Sequence, residues 1–269
     1  MRTRQIYRKL TGKRFFLGQE YELSTRGIHK AVLQAVAHAA VPEIAGDYLD
    51  IGSGRGELLT SLINRYPNLR PFACDYTDRL MKSPDQKVEI VDLNRDPLPF
   101  EDNRFALATC IETIEHLENT WAVLREVYRV LRPGGVAVVS TPNILNLRSR
   151  LRFLSSGFYN LFGPLKPDEK EVYSPRGHIN PVSWFYLANA LLSIGFENLT
   201  VTVDKYQRRS FFSFPFLIGP IRLSNRISLG REMKKYQSID ERNASTVRAM
   251  NSMDLLLGRT LIVTAKKRL

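Results

Sequence analysis

The feature that most constrains the fold is a glycine-rich turn after a short apolar run. Residues 48–51, with the sequence Tyr-Leu-Asp-Ile, are typical of a short buried strand, and Gly52, Gly54 and Gly56 follow them. Glycine allows a tight turn from a strand into a helix, and it lets the backbone approach a ligand closely. The spacing is GxGxG, whereas the dinucleotide fingerprint requires GxGxxG. The turn therefore predicts a nucleotide-type cradle that does not hold a dinucleotide.

Strand-like and helix-like patterns alternate along the rest of the chain. The predicted strands are residues 48–51, 72–75, 88–92, 105–110, 136–140, 199–203 and 260–265. Helical patterns cover residues 27–40, 57–66, 121–131 and 184–194. Strands that alternate with helices in this way predict an α/β fold with a mostly parallel, doubly wound sheet.

Two basic, aromatic stretches interrupt this alternation. Residues 144–180 mix leucines and aromatic side chains with arginines, and residues 208–257 begin with two arginines and an apolar run. We predict that both are insertions, one after strand five and the other between strands six and seven. The domain that carries them is predicted to span residues 46–269, after a basic, helical N-terminal segment at residues 1–45.

The net charge of +12 is distributed unevenly. Residues 31–143 carry sixteen acidic and eleven basic side chains, whereas the regions before and after them are strongly basic. A basic periphery attracts phosphate groups, either on nucleic acid or on an anionic membrane surface. A solubilising charged surface is the alternative explanation.

Cysteine content and hydropathy favour a cytoplasmic location. The two cysteines, Cys74 and Cys110, lie far apart and suggest neither a disulfide framework nor a thiolate zinc site. No apolar segment of a signal peptide follows the basic N-terminus. No stretch reaches the roughly 20 apolar residues of a spanning helix. We predict a cytoplasmic protein whose basic insertions allow peripheral contact with a membrane.

Five segments follow one another in the order of the motifs of class I S-adenosylmethionine-dependent methyltransferases, which the chain resembles over about residues 46–200. They are residues 50–56, Asp75 after the second strand, Asp92 with Leu93, residues 97–100 and residues 131–135. The resemblance implies a Rossmann-like, mostly parallel sheet of seven strands, with helices on both faces and the last strand antiparallel. It also implies that the cofactor is S-adenosyl-L-methionine.

The resemblance assigns roles to the matched positions. The turn would hold the methionine moiety, Asp75 would accept hydrogen bonds from the ribose hydroxyls, and Asp92 would face the adenine amino group. The cofactor-binding residues implied in this way are Asp50, Gly52, Ser53, Gly54, Gly56, Asp75, Asp92, Leu93 and Glu112. Each acid alone could equally cap a turn, and it is the ordered set that supports the cofactor.

Carboxylates and imidazoles cluster after the fourth strand. Glu112, Glu115 and His116 lie within one turn of chain, and His178 comes from the loop after strand five. Open α/β folds place their ligands at this edge of the sheet. Carboxylates with imidazole suit a divalent metal such as Mg²⁺, without clear selectivity. Otherwise His116 could act as a general base, because its intrinsic pKa lies near neutrality.

This cluster resembles two methyltransferase families. One is the ubiquinone-biosynthesis-type O-methyltransferases, which have a similar ExxEH segment. The other is the small-RNA 2′-O-methyltransferases, in which two Glu and two His bind a metal. We therefore predict catalytic roles for His116, Glu115 and His178, and metal ligation by these three together with Glu112. In the alternative, Glu112 contacts the cofactor while Glu115 and His116 only cap the next segment.

Three functions remain open at this point. The first is O-methylation of a small-molecule, lipid-linked or glycan hydroxyl, with peripheral contact to an anionic membrane. The second is RNA 2′-O-methylation with a Glu/His metal site; no recognisable RNA-binding module supports it. The third is a non-catalytic, cofactor-binding member of the fold, against which the intact glycines and acids argue.

Overall fold

The computed structural model describes residues 17–39, 44–165 and 177–269. Within these ranges the chain forms one seven-stranded sheet with the order β3-β2-β1-β4-β5-β7-β6. The strands are β1 (Gly46–Ile51), β2 (Leu69–Asp75), β3 (Val88–Ile90), β4 (Phe105–Ile111), β5 (Leu131–Pro142), β6 (Phe196–Val203) and β7 (Thr260–Lys267).

Helices connect the strands. They are α1 (Leu17–Ala39), α2 (Glu57–Arg65), α3 (Thr120–Val130), α4 (Leu147–Ser156), α5 (Trp184–Ile194), α6 (Arg208–Arg231), α7 (Ala244–Ala249) and α8 (Met253–Leu257). A 3₁₀ turn spans Ile114–His116, and a π-helical turn at Glu232–Tyr236 continues α6. No helix in the described part of the chain is long and apolar enough to cross a membrane.

The strand directions confirm the predicted fold class. Strands β1 to β5 pair in parallel, and β7 runs antiparallel between β5 and β6. The carboxyl ends of β1, β4, β5 and β6 therefore meet the start of β7 at one edge of the sheet. We call this the carboxyl edge, and it is where open α/β folds bind their ligands.

The sheet is buried on both faces, as its near-continuous apolar strands require. Tyr48 packs on one face among residues of α1 and α2, including Val32 and Leu62. Leu49, its neighbour in β1, packs on the other face with α3 and α5, where Leu124 and Leu187 are buried. Helix α1 thus packs directly against the sheet, and it begins well before the predicted helical pattern at residues 27–40.

The start of β5 and the end of β3 differ from the predicted strand bounds. Strand β5 already begins at Leu131, which pairs with Phe105, so the Pro-Gly-Gly sequence that follows lies within the strand. Strand β3 ends at Ile90. The amide of the next residue, Val91, still donates to the Asp75 carbonyl, and the chain then turns, because the amides of Arg95 and Asp96 both donate to the Asp92 carbonyl.

The two predicted insertions contact each other. The described part of residues 144–180 contains α4, and residues 208–257 contain α6, α7 and α8. Leu147 of α4 packs with Leu256 and Leu257 of α8, and one side of α6 covers this cluster with Phe214, Leu217, Ile218 and Ile221. Because α6 begins just after β6, this joint helical layer starts from the carboxyl edge.

Candidate active site

The glycine turn is anchored over the carboxyl ends of β1 and β2. The amides of Gly52 and Ser53 both donate to the Cys74 carbonyl, at 2.9 and 3.2 Å. Gly52 has a φ of 70°, and a Cβ at this position would overlap Thr113 Oγ1. A side chain is therefore excluded by conformation and by space. Gly54 has a φ of 51°, but a Cβ there would meet no atom within 4 Å, so this part of the turn borders open space.

Asp75 fixes the shape of this turn. Its Oδ2 accepts a hydrogen bond from the Gly54 amide at 2.8 Å, and its Oδ1 accepts from the Tyr76 amide at 2.8 Å. Burial raises the pKa of the Asp75 carboxyl, and the hydrogen bond from Gly54 opposes that shift. The carboxylate thus lies directly beneath the turn, with capacity to accept further hydrogen bonds.

Two other predicted cofactor residues differ in their exposure. Asp50 is buried, and its Oδ1 accepts a hydrogen bond from Thr109 Oγ1 at 2.6 Å. Burial raises the pKa of Asp50 to about 7, although the hydrogen bond from Thr109 opposes the shift. Ser53 is also buried, and its hydroxyl has no hydrogen-bond partner among the described residues. Such a hydroxyl in a cradle is suited to a bound ligand.

Asp92 and Leu93 lie in the turn after β3. The Asp92 side chain is 48% exposed, its Oδ1 accepts from the Asn94 amide at 3.0 Å, and its Oδ2 is 3.5 Å from Arg95 Nε. Leu93 is partly buried against the core. The described contacts of Asp92 are thus those of a turn-forming carboxylate, and its contact with adenine stays a prediction.

Glu112 lies at the carboxyl edge between β4 and β5. Its φ is 51°, a left-handed conformation that is uncommon for a residue with a side chain. Its Oε1 accepts a hydrogen bond from Ser140 Oγ at 3.0 Å. The backbone amide of Glu112 in turn donates to Ser140 Oγ, also at 3.0 Å. Burial raises the pKa of Glu112 to about 7, and the bond from Ser140 opposes this shift.

Backbone hydrogen bonds bring the other three predicted residues together. The Glu115 carbonyl accepts from the amides of Ile179 and Asn180, at 2.9 and 3.0 Å, and thereby ties the loop after β5 to the 3₁₀ turn. As a result, ligand atoms of Glu115, His116 and His178 all lie within 4.8 Å of one another. We call these three residues the Glu–His cluster. Glu112, the fourth predicted metal ligand, is not part of it, because its side chain bonds to Ser140.

Glu115 is the most deeply buried member of the Glu–His cluster. Its side chain is fully buried, and neither carboxylate oxygen has a hydrogen-bond partner among the described residues. Burial, together with the nearby carboxylate of Glu112, raises the pKa of Glu115 well above its usual value. Burying a charged carboxylate without partners is unfavourable, so a proton or a bound ligand on Glu115 would stabilise it.

Burial favours the neutral form of both histidines. The rings of His116 and His178 meet edge to face with centroids 4.7 Å apart. Burial lowers the pKa of His116. The pKa of His178 is lowered to about 4 by burial and, to a smaller extent, by the nearby His116. His116 Nδ1 lies 3.0 Å from the Gly177 carbonyl oxygen, which can only accept. The proton of His116 is therefore on Nδ1, and Nε2 carries the basic lone pair.

The segment that carries His116 lies against the cradle. Thr113, three residues before His116, fills the space where a Cβ of Gly52 would lie. The turn and the Glu–His cluster are thus two sides of one site at the carboxyl edge.

Sequence reasoning did not assign roles to two charged residues near this edge. Asp204 follows β6, and its Oδ1 accepts from the Thr260 amide at 2.9 Å. Arg259 directly precedes β7, and the charges of both residues act on Glu112. Their positions directly after one predicted strand and directly before another were the signal that could have identified them.

Comparison with known proteins agrees with this geometry. A model described as a methyltransferase domain matches residues 49–139, which run from β1 to β5. A ubiquinone/menaquinone biosynthesis C-methyltransferase of Desulfotalea psychrophila is 31% identical over 121 residues, covering 42% of this chain and 48% of the relative. A probable S-adenosylmethionine-dependent methyltransferase of Mycolicibacterium smegmatis is 32% identical over 140 residues, covering 50% of this chain and 51% of the relative. The chain thus spans about half the length of these curated relatives.

Solved structures share the fold over most of the chain. A SAM-dependent methyltransferase from Archaeoglobus fulgidus superposes with a TM-score of 0.55 at 15% identity, covering 93% of this chain and all of the other. Residues 49–139 thus match a methyltransferase domain, and most of the chain shares the fold of a solved SAM-dependent methyltransferase. More particularly, the sequence match covers the part of the domain that forms the cradle and the Glu112–His116 segment, and it ends before both insertions.

Proposed function

We propose that the protein transfers a methyl group from S-adenosylmethionine to a hydroxyl group of a small-molecule, lipid-linked or glycan acceptor. The observation that carries the proposal is the position of His116, whose Nδ1 bonds to the Gly177 carbonyl and whose segment packs against the cradle. A hydroxyl is a weak nucleophile until it loses its proton, and a neutral imidazole is suited to accept that proton.

The residues of the cradle fit the cofactor. The hydroxyl of Ser53 is buried without a partner among the described residues, and the space next to Gly54 is open. The turn, Asp75 and the segment around Asp92 would hold the methionine, ribose and adenine parts, respectively. When bound, S-adenosylmethionine supplies a methyl group on a positively charged sulfur.

The chain's own residues would then position the acceptor and remove its proton. His116 Nε2 would accept the proton of the acceptor hydroxyl, so that this oxygen could take the methyl group that the bound cofactor would supply. The Gly177 carbonyl fixes the ring of His116 through Nδ1. The helical layer of α4 and α6 starts next to the carboxyl edge and would limit the access of water to the site, and exclusion of water favours such a displacement.

A direct assay tests this proposal. Purified protein is incubated with methyl-labelled S-adenosylmethionine and separate lipid, small-molecule and RNA fractions from a strain that lacks the gene. We expect one labelled product in the lipid or small-molecule fraction, with the label on oxygen by NMR. Label on RNA, or cofactor binding without any transfer, would contradict the proposal.

A second candidate is C-methylation, which the names of several relatives favour. The same base would serve. Removal of a phenolic proton by His116 would make the neighbouring ring carbon nucleophilic, that carbon would take the methyl group, and loss of its ring proton to solvent would restore the aromatic ring. Label on a ring carbon in the NMR assay would select this candidate over O-methylation.

The Glu–His cluster also has the composition of a divalent metal site, and we propose metal binding as a second candidate role for it. Its support is the close approach of one carboxylate and two imidazoles, with both Glu115 oxygens free of partners among the described residues. A metal held there would lower the pKa of an acceptor hydroxyl, and His116 would then be a ligand and not the base.

Removal of metal distinguishes these two roles. If the cluster binds metal, the protein dialysed against Zn²⁺ or Mn²⁺ should retain about one ion per chain, by mass spectrometry, as a single closed site requires. Glu115→Gln should lose that ion because it removes the charged ligand, whereas Glu118→Gln, an exposed acid three residues away, should retain it. Wild-type protein that holds no ion and keeps its activity in chelator would exclude the metal and leave His116 as the base.

A further inference from the structure

Helix α6 carries an apolar face that points away from the protein. Phe212 and Phe216 are 81% and 80% exposed, and Leu223 and Ile227 are also more than half exposed. Their spacing of four, seven and four residues places them on one side of the helix. The opposite side, with Phe214 and Leu217, packs on α4 and α8. We call the four exposed residues the α6 outer face.

Basic side chains surround the α6 outer face. Seven exposed basic residues lie in this stretch. Arg208 and Arg209 precede the α6 outer face in sequence, Arg222 and Arg226 lie within its range, and Arg231, Lys234 and Lys235 follow it. Glu232 is the one acid in the same stretch of residues 208–236. Large exposed aromatics are unusual on a soluble surface, and together with a strong positive charge they indicate an anionic, apolar partner.

A hollow at the carboxyl-terminal end of α6 is also lined by both apolar and basic side chains. Its volume is about 560 Å³, and it is lined by Leu223, Arg226, Ile227, Gly230, Arg231, Lys234 and Lys235. Arginine and lysine provide donors for a phosphate, while Leu223 and Ile227 provide apolar contact beside it. This combination matches a phospholipid at the level where its headgroup meets its acyl chains.

We propose that the α6 outer face docks on an anionic lipid bilayer, with the helix lying in the headgroup region. The described helices include none that could span a membrane, so α6 would lie on the surface. A second copy of this chain fits poorly, because a two-fold interface here would bring the basic side chains of the two copies close together. Nucleic acid would match the charge but would leave Leu223 and Ile227 without a partner.

Docking through α6 would orient the active site. Helix α6 begins five residues after β6 ends, so it starts at the carboxyl edge, where the cradle and the Glu–His cluster lie. The adjacent helix α4 packs against α6 and also exposes a large apolar side chain, Leu154, which is 84% exposed. An acceptor held in the bilayer would thus be presented near the methyl-transfer site. The inference goes beyond the proposed function, since lipid binding can be measured without an acceptor.

Sedimentation with vesicles tests the proposal on the full chain. We expect it to sediment with vesicles of phosphatidylcholine and phosphatidylglycerol, to remain in solution with phosphatidylcholine alone, and to be released by salt. The double variant F212S/F216S should bind the mixed vesicles about 100-fold more weakly, because two phenylalanine rings no longer enter the bilayer. Tyr186→Ser, which changes an exposed aromatic on α5 outside this surface, should bind as the wild type does.

Charge variants test the electrostatic contribution to vesicle binding. Each basic side chain at an anionic surface strengthens binding by roughly fivefold, so R208Q/R209Q should weaken it about 25-fold. The matched control is K87Q/R268Q, because Lys87 directly precedes β3 and Arg268 directly follows β7, at the edge opposite to the carboxyl edge. It should have little effect.

Several outcomes would overturn the proposal. Equal binding to neutral vesicles, or mixed-vesicle binding that F212S/F216S does not weaken, would remove the α6 outer face as the contact. A dimer in solution that F212S/F216S dissociates would assign the face to a second copy. Tight RNA binding that R208Q/R209Q abolishes, without vesicle binding, would assign it to nucleic acid. Thermal unfolding of each variant serves as the check on folding, and the high exposure of both phenylalanines predicts no change.

Discussion

Replacing Asp75 with Ala should raise the dissociation constant of S-adenosylmethionine by at least about 100-fold in calorimetric titration. Its carboxylate accepts hydrogen bonds from the amides of Gly54 and Tyr76, and these bonds hold the turn in its shape. A hydrogen bond to a charged group contributes about 1.5–3 kcal/mol, so the loss of two corresponds to about 3 kcal/mol or more. The predicted contact of Asp75 with the ribose would be lost in addition.

Two further variants make this result specific. Asp75→Asn keeps one acceptor oxygen and loses the charge, so its affinity should lie between those of the wild type and Asp75→Ala. Asp78→Ala removes an exposed acid three residues away and should change the affinity by no more than about twofold, as surface substitutions usually do. If Asp75→Ala binds the cofactor as tightly as the wild type does, the turn is not the methyl-donor site.

Replacing His116 with Ala should lower kcat by about 10²- to 10⁴-fold and leave the cofactor dissociation constant nearly unchanged, because a general base contributes that factor to a proton-transfer step. His38→Ala is the matched control. The Nδ1 of His38 also lies close to a carbonyl oxygen, that of Gln34, but His38 is exposed on α1 away from the carboxyl edge. It should leave both constants unchanged, and equal losses in the two variants would refute the assignment of His116.

The pH profile gives a second, independent test of His116. Burial lowers its pKa below 6.5, and only the unprotonated ring can act as a base. The rate should therefore be constant through neutral pH and fall as the pH drops through a value below 6.5. This acid limb should be absent in His116→Ala. A limb centred above pH 6.5, or one that persists in the variant, would assign the titration to another group.

The sequence predicts the parts of this molecule that depend on local pattern. The glycine spacing, the strand and helix alternation and the order of the motifs are all local, and the predicted sheet is confirmed. The start of β5 is not local, because Leu131 is in the strand only through its pairing with Phe105. The Pro-Gly-Gly sequence beside it resembles a loop in every other respect.

The candidate site also depends on contacts that a local sequence pattern does not reveal. The sequence groups Glu112 with the Glu–His cluster because they lie within one turn of chain. In the structure the Glu112 side chain bonds to Ser140 and is not grouped with the ligand atoms of the other three, and neither this bond nor the left-handed backbone at Glu112 has a sequence signal. Likewise, the composition of α6 indicates an apolar and basic helix, but only packing decides that Phe214 faces inward and Phe212 outward.

The antiparallel strand β7 has a consequence for how such a protein can diversify. Val203, at the end of β6, is the register partner of Leu261, near the start of β7, so the segment between them leaves and re-enters the sheet at adjacent positions. A segment with neighbouring ends can be lengthened, shortened or exchanged without shifting any strand pairing. The glycine turn and the segment between β6 and β7 can therefore change separately during evolution, while the strand pairing of the sheet stays the same.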